Sequence, residues 1–245
     1  MLFTENKTVD VPAIKEGTFY ITPSIKGEFS KIYLSKSKSS WITIEWLSEE
    51  LLSNSSENYQ TLFNLHPPQR GKIVMFNNEE IDSPRWHRSY LHQPEREPDQ
   101  KKTYMYSGIE RFEDLEMPFP FQKYIDFLNE KESAYKYNQV IANWYANGKD
   151  YIAPHSDCQI GMVPNADIAI ISLSEDENFF RELRISPKKL KNEINDNLYA
   201  HVKIKLQHGS IITMCGDTQK NFKHGVPKDL YNQTSRISLT FRKFI

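Results

Sequence analysis

The sequence predicts a mainly β (α+β) fold, a double-stranded β-helix (jelly roll) with flanking N-terminal helices. In the second half of the chain, five segments are rich in β-branched and aromatic residues and are separated by turn residues, as strands are. These segments are NQVIANWY (138–145), DIAIISLS (167–174), HVKIKLQ (201–207), GSIITMC (209–215) and RISLTFRKF (236–244). Their spacing leaves no room for a helix between each pair, which disfavours a parallel βαβ sheet and favours two packed sheets.

The first half of the chain predicts the flanking elements. WITIEW (41–46) has the composition of a strand, and LSEELLSNSSENYQTLFNL (47–65) predicts an amphipathic helix with interruptions. PFPFQKYIDFLNEKESAY (118–135) opens with prolines and continues with apolar residues near the helical period, so we expect a second helix there. Residues 66–100 are rich in Pro, His and charge and indicate hairpins and loops. Residues 1–40 hold no motif, and we expect them to form an N-terminal extension of unknown role before a domain at 41–245.

Composition excludes some classes of protein. The chain is 38% apolar and 26% charged, as globular chains are, and no stretch approaches the ~20 apolar residues of a membrane helix. It shows no secretory signal and has two cysteines, Cys158 and Cys215, so we expect an intracellular protein of the cytoplasm or nucleus. Residues 181–245 hold 13 Lys and Arg against 5 Asp and Glu, although the whole chain has a net charge of −1. This asymmetry is consistent with a basic face on the C-terminal part, although the same charges could be scattered over the surface.

One group of residues suggests a metal centre. His155 and Asp157 are separated by one residue, so in an extended segment their side chains point to the same side and can bind one metal. Such a pair is weak evidence alone, and His224, at the mouth of a strand-rich segment, is the best candidate for a third ligand. Two histidines and one carboxylate form the facial triad of non-haem Fe(II) oxygenases.

The last predicted strand suggests a cofactor. Alternation places Arg236, Ser238, Thr240 and Arg242 on one face of RISLTFRKFI and the apolar residues on the other. Buried arginines need anionic partners, and a dicarboxylate such as 2-oxoglutarate would supply them. Asn143 and Tyr145 share one face of their strand and could donate to the same ligand.

At four places the sequence resembles the AlkB-type Fe(II)/2-oxoglutarate dioxygenases, which oxidatively demethylate nucleic-acid bases. The resemblance covers roughly residues 65–245 and keeps the family's order and spacing. Its motifs are NWYANGKDYIAPHSD (143–157), LQHGSIITMCGDTQKNFKHGVPK (206–228), SRISLTFRK (235–243), and the pair SPRWHRSY (83–90) and YMYSGI (104–109). The last pair resembles the family's nucleotide-recognition lid, which implies a lid at 65–120 and a jelly-roll core at 138–245.

The resemblance implies a role for each matched residue. It implies iron bound by His155, Asp157 and His224, and O2 as co-substrate. It implies that 2-oxoglutarate is held by Asn143, Tyr145, Arg236, Ser238, Thr240 and Arg242. Ser238 stands where the family usually has Asn, which weakens one of these contacts.

The resemblance also implies residues that bind the substrate. Tyr106 would stack on the flipped base, with Tyr104 and Ser107 beside it in the lid. Met75 and Phe76 are candidates for an apolar wedge that fills the gap left in a duplex, and the alternative is that they are ordinary core residues of a hairpin. Arg85 would steady a phosphate or the orphaned base. Gln159 stands where an acidic residue often contacts the base, so the choice of base is open.

These residues imply oxidative demethylation of N-alkylated bases such as 1-methyladenine or 3-methylcytosine. We expect a monomer that acts on nucleic acid, on DNA more than RNA, and that binds no membrane. One alternative keeps the cofactors and changes the substrate to a protein or lipid, for which the neutral Gln159 leaves room. Another is a nucleic-acid-binding jelly roll without catalytic activity, against which the complete triad and both arginines argue.

Overall fold

The structure is a computed structural model that describes residues 7–10, 18–21, 29–52, 55–74, 79–91, 103–106, 109–112, 117–132, 134–188 and 201–245. The strands of these residues are, in chain order, β1 (Lys7–Asp10), β2 (Thr18–Ile21), β3 (Ser30–Tyr33), β4 (Ser40–Trp46), β5 (Lys72–Val74), β6 (Glu80–Asp82), β7 (Trp86–Leu91), β8 (Thr103–Tyr106), β9 (Ile109–Phe112), β10 (Gln139–Tyr145), β11 (Ile152–His155), β12 (Ile168–Ser174), β13 (Arg181–Pro187), β14 (His201–Leu206), β15 (Ser210–Gly216), β16 (Phe222–Val226) and β17 (Arg236–Arg242). The helices are α1 (Glu49–Leu52), α2 (Ser55–Phe63), α3 (Phe119–Lys131) and α4 (Thr218–Asn221).

Two sheets face one another. The large sheet has the strand order β1-β3-β4-β15-β12-β17-β10-β7, and the small sheet has the order β11-β16-β13-β14-β2. From β10 to β17 the chain crosses repeatedly between them, so that β10, β12, β15 and β17 lie in the large sheet and β11, β13, β14 and β16 in the small one. Within each group of four the pairing is antiparallel. This is the arrangement of a double-stranded β-helix, and the predicted fold class is confirmed.

The large sheet is buried on both faces. Between the two sheets lies one apolar core, to which β13 contributes Leu183 and Ile185. On the opposite face, a second core packs the sheet against α2 and α3. Ile237, Leu239 and Phe241 of β17 are 0% exposed and belong to this second core. The apolar face of β17 therefore points out of the jelly roll but is covered by helices, which leaves its polar face for the interior.

Helix α3 lies within the segment 118–135 where the sequence predicts it. It begins after Pro118, and a proline in its first turn costs no hydrogen bond because that amide would have no helical partner. Phe121, Tyr124, Ile125 and Leu128 are buried at helical spacing, and burying each such side chain contributes about 1.5–3 kcal/mol. The predicted interrupted helix at 47–65 is present as α1 and α2. None of the described helices is long and apolar enough to cross a membrane.

The flanking segments extend these sheets. In the predicted lid, β5 pairs with β6 and β8 with β9 as two-stranded hairpins, while β7 joins the large sheet beside β10. Before residue 40, β1 and β3 lie at one edge of the large sheet and β2 at one edge of the small sheet. The domain boundary at residue 40 and the division into lid and core remain predictions.

Candidate metal and cofactor site

Pairing between β11 and β16 places two histidines opposite one another. His155 lies opposite His224 in the register, and the centroids of their rings are 4.4 Å apart. Asp157 follows two residues after His155, and its Oδ1 lies 3.3 Å from Nε2 of His155 and 3.8 Å from Nε2 of His224. One ligand atom from each residue lies within 4.8 Å of the others. The three residues predicted as metal ligands are therefore brought together.

Both imidazoles are prepared to be ligands. Nδ1 of His155 lies 2.9 Å from the carbonyl oxygen of Ala153, which can only accept, so Nδ1–H donates and Nε2 is the nitrogen that faces Asp157. Such a hydrogen bond to the other ring nitrogen fixes the orientation of a metal-binding histidine. Burial, and the neighbouring His155, lower the pKa of His224 to about 3, so this imidazole is neutral at physiological pH. Neutral imidazole is the form that binds metal.

Asp157 supplies the negative charge of the group. Burial by itself raises the pKa of its carboxyl, but Arg242, whose Nη2 is 2.9 Å from Oδ1, and the two histidines outweigh burial and hold the pKa well below its usual range. The other oxygen, Oδ2, is buried and makes no hydrogen bond within the described residues. Two imidazoles and a carboxylate with an oxygen to spare fit Fe(II).

Two hydrogen bonds fasten the loop that carries Asp157 to the segment that carries His224. Ser156 donates from Oγ to the carbonyl oxygen of Phe222 at 2.8 Å. The backbone N–H of Asp157 donates to Oε1 of Gln219 at 2.9 Å, and Gln219, on α4, is 6% exposed. The ligands are therefore held in place by the fold itself.

All the residues predicted to bind 2-oxoglutarate line one cavity. The cavity has a volume of about 540 Å³, which includes space open to solvent, and the three metal ligands also line it. Its walls include Asn143 and Tyr145 of β10 and the whole polar face of β17, namely Arg236, Ser238, Thr240 and Arg242. Alternation along one strand thus delivers four polar side chains into the space between the sheets.

The arginines of β17 have donors to spare. Arg236 is 2% exposed and donates from Nε to Oγ of Ser172 at 2.9 Å, but its Nη1 has no hydrogen-bond partner within the described residues. The same is true of Nε of Arg242. Burial lowers the pKa of Arg236 to about 10, so it remains charged at neutral pH. Buried guanidinium groups with open donors fit the carboxylates of 2-oxoglutarate.

Another buried arginine, Arg181, has a different environment. Arg181 and Arg236 both lie over the ring of Tyr145, with guanidinium carbons 5.8 Å and 5.2 Å from its centroid. Arg181 donates to the backbone carbonyls of Asn147, Asp150 and Pro227. These bonds join the loop after β10 to the loop after β16, so Arg181 supports the wall of the cavity behind Tyr145.

Arg85, which the resemblance assigned to the substrate, lies deeper than a surface contact. It is 2% exposed, lines the cavity, and donates from Nε to Oδ1 of Asn143 at 2.8 Å. Its guanidinium group is therefore beside a predicted cofactor residue, and its contact with a phosphate or base remains a prediction.

The structure leaves the other substrate residues untested. Gln159 is exposed, two positions beyond Asp157. Tyr104 and Tyr106 lie on β8, and their side chains are outside the described part of the structure. Ser107, Met75 and Phe76 also lie outside the described residues.

Sequence reasoning missed two polar residues of the site, Ser172 and Gln219, and the contact that Arg85 makes with Asn143. Ser172 lies opposite Ser238 in the register and could have been found from the alternation of DIAIISLS. The contact of Arg85 with Asn143 and that of Gln219 with Asp157 join residues 58 and 62 positions apart. No local pattern signals such contacts.

Comparisons with known proteins agree with this geometry. The family model described as the 2OG-Fe(II) oxygenase superfamily matches residues 34–242. The chain is 34% identical over 114 residues to alpha-ketoglutarate-dependent dioxygenase alkB homolog 3 of Homo sapiens, covering 46% of this chain and 38% of the relative. It is 27% identical over 134 residues to DNA oxidative demethylase ALKBH2 of Arabidopsis thaliana, covering 50% and 43%. The chain thus spans less than half the length of these two relatives.

The solved structure of OsALKBH1 is similar with a TM-score of 0.46 and 13% identity, over 82% of this chain and 96% of that one. The superfamily implies Fe(II) and 2-oxoglutarate as cofactors, and the donor sets of the cavity fit both. From its match over residues 34–242, the chain belongs to the 2OG-Fe(II) oxygenase superfamily, and it is of the AlkB type.

Proposed function

We propose that this protein is an Fe(II)/2-oxoglutarate-dependent dioxygenase that demethylates N-alkylated nucleic-acid bases such as 1-methyladenine and 3-methylcytosine. The observation that carries the proposal is one cavity that holds both the His155, Asp157 and His224 group and the open donors of Arg236 and Arg242. A metal group without the arginines would fit many metalloproteins, whereas the combination fits a metal and a dicarboxylate side by side.

The chain's own residues bind and orient the reactants. When bound, Fe(II), O2 and 2-oxoglutarate supply the oxidising power that hydroxylates a methyl group, which then leaves as formaldehyde. His155, Asp157 and His224 hold the metal, while Arg236 and Arg242 bind the carboxylates of 2-oxoglutarate. Ile141, Ile170 and Leu206 line the same cavity and exclude water from it. None of these side chains has to act as a general base.

Nucleic acid is the proposed partner, with DNA preferred to RNA, and the protein acts as a monomer. The name of the Arabidopsis relative includes DNA oxidative demethylase, which supports this substrate. Tyr106 stacks on the flipped base with Tyr104 and Ser107 beside it. Gln159 contacts that base, and Arg85 steadies a phosphate or the orphaned base. Met75 and Phe76 fill the gap that the base leaves in a duplex.

Release of formaldehyde tests the proposal. The protein is supplied with Fe(II), 2-oxoglutarate and ascorbate, and with oligonucleotides containing 1-methyladenine or 3-methylcytosine as single-stranded DNA, duplex DNA or RNA. We expect release that His224→Ala abolishes. Replacing both Met75 and Phe76 by Ala should lower release from the duplex and spare the single strand. If well-folded, metal-loaded protein releases no formaldehyde from any of these substrates, the demethylase proposal is wrong.

A second candidate keeps the cofactors and changes the substrate to a protein or lipid. The exposed Gln159 favours it, because a neutral amide cannot attract a cationic methylated base as a carboxylate does. The same reactions separate the two candidates when the consumption of 2-oxoglutarate is followed as well. The second candidate predicts that 2-oxoglutarate is consumed, that methylated oligonucleotides do not stimulate its consumption, and that no formaldehyde is released from them.

A further inference from the structure

The outer surface of the small sheet carries an unusual set of charges. In β13 and β14 the apolar residues Leu183, Ile185, Val202, Ile204 and Leu206 are buried in the core between the sheets. Alternation therefore turns Arg184, Lys203 and Lys205 to the opposite side, away from the cavity. In β16, likewise, His224 points to the metal group while its neighbour Lys223 is exposed. We call Arg184, Lys203, Lys205 and Lys223 the outer basic face.

The register of the sheet brings these cations close together. Arg184 lies directly opposite Lys203, and Lys223 lies opposite Ser186, which makes Lys223 a diagonal neighbour of Arg184. Directly opposite side chains of an antiparallel pair have Cβ atoms roughly 4.5–5.5 Å apart, and like charges at such positions are destabilising. The register therefore places two like charges directly opposite one another.

Acidic groups are few on the described strands of this sheet. On strands β11, β16, β13 and β14, all of which the structure describes, Glu182 is the one carboxylate, and Arg184 lies 3.2 Å from it. Lys188 lies just beyond β13. Burial lowers its pKa, and the nearby charge of Lys223 lowers it further, so Lys188 is another cation close to Lys223. A cluster of positive charge on a chain with a net charge of −1 fits a polyanion.

We propose that the outer basic face binds the sugar-phosphate backbone of nucleic acid outside the cavity, beyond the nucleotide that enters it. Lys223 and His224 are consecutive residues on opposite sides of β16, so the face and the metal group are separated by one strand, and β11 forms the edge between them. A strand whose target base occupies the cavity passes around this edge and continues over the cations. This inference rests on the proposed function, because it identifies where the same substrate is held.

The test measures binding without catalysis. The probe is an undamaged, fluorescently labelled single-stranded 20-mer, titrated with the full chain over a range of salt concentrations. Arg184, Lys203 and Lys223 are replaced together by Gln, and Lys36, Lys131 and Lys136 are replaced together by Gln as a control with the same change of charge. Lys36 lies in the β3–β4 turn, and the other two lie at and just after the end of α3, away from the small sheet.

Each phosphate contact on a single strand contributes about 0.7 to the slope of log affinity against log salt. Losing three contacts should make the slope shallower by about 2 and weaken binding on the order of 50-fold at about 0.15 M salt. The control variant should bind within about threefold of the unaltered protein. The melting temperature of the face variant should change little, because relief of the like-charge pair offsets the loss of the exposed ion pair between Arg184 and Glu182.

Equal binding by the face variant and the unaltered protein would overturn the proposal, as would no binding of the 20-mer by the unaltered protein. Binding to vesicles with anionic lipid but not to the 20-mer would also overturn it, in favour of a membrane surface. Formaldehyde release tests the proposed function separately. If the unaltered protein releases formaldehyde and the face variant binds the 20-mer normally, the proposed role of the outer basic face is wrong and the proposed function stands.

Discussion

Replacing Arg236 by Met should weaken the binding of 2-oxoglutarate without destabilising the protein. Arg236 is 2% exposed and donates from Nε to Oγ of Ser172. Burial lowers the pKa of Arg236 to about 10, so keeping its charge in the cavity has a cost in free energy. Met has a similar length and carries no charge, so the protein without ligand should be as stable as before or more stable.

The effect on the ligand should be large. Removing one partner of a buried, hydrogen-bonded charge pair costs about 2–5 kcal/mol. The dissociation constant for 2-oxoglutarate should therefore rise by roughly 30- to 4,000-fold in Arg236→Met. The dissociation constant of Arg236→Lys should lie between those of the unaltered protein and Arg236→Met, because Lys keeps the charge and loses the bidentate geometry. Calorimetric titration with 2-oxoglutarate in the presence of Mn(II) measures the affinity, and chemical denaturation of the metal-free protein measures the stability.

Arg181→Met is the matched control. Arg181 is also buried over Tyr145, but its donors are occupied by the carbonyls of Asn147, Asp150 and Pro227. Each buried acceptor left without a partner costs about 1–3 kcal/mol, so this variant should lose stability. If Arg236→Met instead lost stability like Arg181→Met and bound 2-oxoglutarate normally, the assignment of Arg236 to the cofactor would be refuted.

Three further predictions concern the surroundings of the site. Gln219→Leu should weaken metal binding about 10- to 100-fold, because the backbone N–H of Asp157 loses its acceptor. Thr218→Val changes the neighbouring residue of the same helix and removes hydrogen bonds to the backbone carbonyls of Trp41 and Cys215, so it should lower stability and leave metal affinity unchanged. Equal metal affinities for the two variants, by competition with a chromophoric chelator, would contradict this role. Arg70→Met should lower the free energy of unfolding by about 1–3 kcal/mol, since it removes two hydrogen bonds, of 2.7 Å and 2.8 Å, to the buried carboxylate of Asp150; an unchanged denaturation midpoint would count against it. Burial raises the pKa of Tyr124 to about 12 from an unfolded value of 10.0, so its contribution to stability is complete below pH 10 and is lost as the pH rises towards 12. Tyr124→Phe should therefore flatten the fall in the free energy of unfolding between pH 10 and pH 12, and an unaltered pH profile would exclude the effect.

Much of the fold could be predicted because periodicity and turn chemistry are local. β10, β12, β14 and β17 lie within the predicted segments, β15 extends one residue beyond its segment, and the polar face of β17 lines the cavity as its alternation indicates. β11 could not be found in this way, because it is short, contains Pro154 and has an irregular register with β16.

The metal group was predicted from two short motifs 69 residues apart, His155 to His224, and the register of β11 with β16 explains why they meet. The remaining contacts of the site depend on tertiary packing. The burial of Arg85 against Asn143 joins β10 to the segment before β7, and the bond of Gln219 to Asp157 joins α4 to the loop after β11. Neither follows from residue spacing, because each joins side chains on separate elements whose relative placement only the folded sheets determine.

The central claim is that one cavity couples the consumption of 2-oxoglutarate to the removal of a methyl group from a nucleic-acid base. The most direct measurement follows succinate and formaldehyde in the same reaction on a single-stranded oligonucleotide containing 1-methyladenine, with Arg236→Met and His224→Ala in parallel. We predict equimolar succinate and formaldehyde, both lost in His224→Ala and restored in Arg236→Met only at high 2-oxoglutarate concentration. Formaldehyde release that persists without 2-oxoglutarate, or that is unaffected by either substitution, would contradict the account.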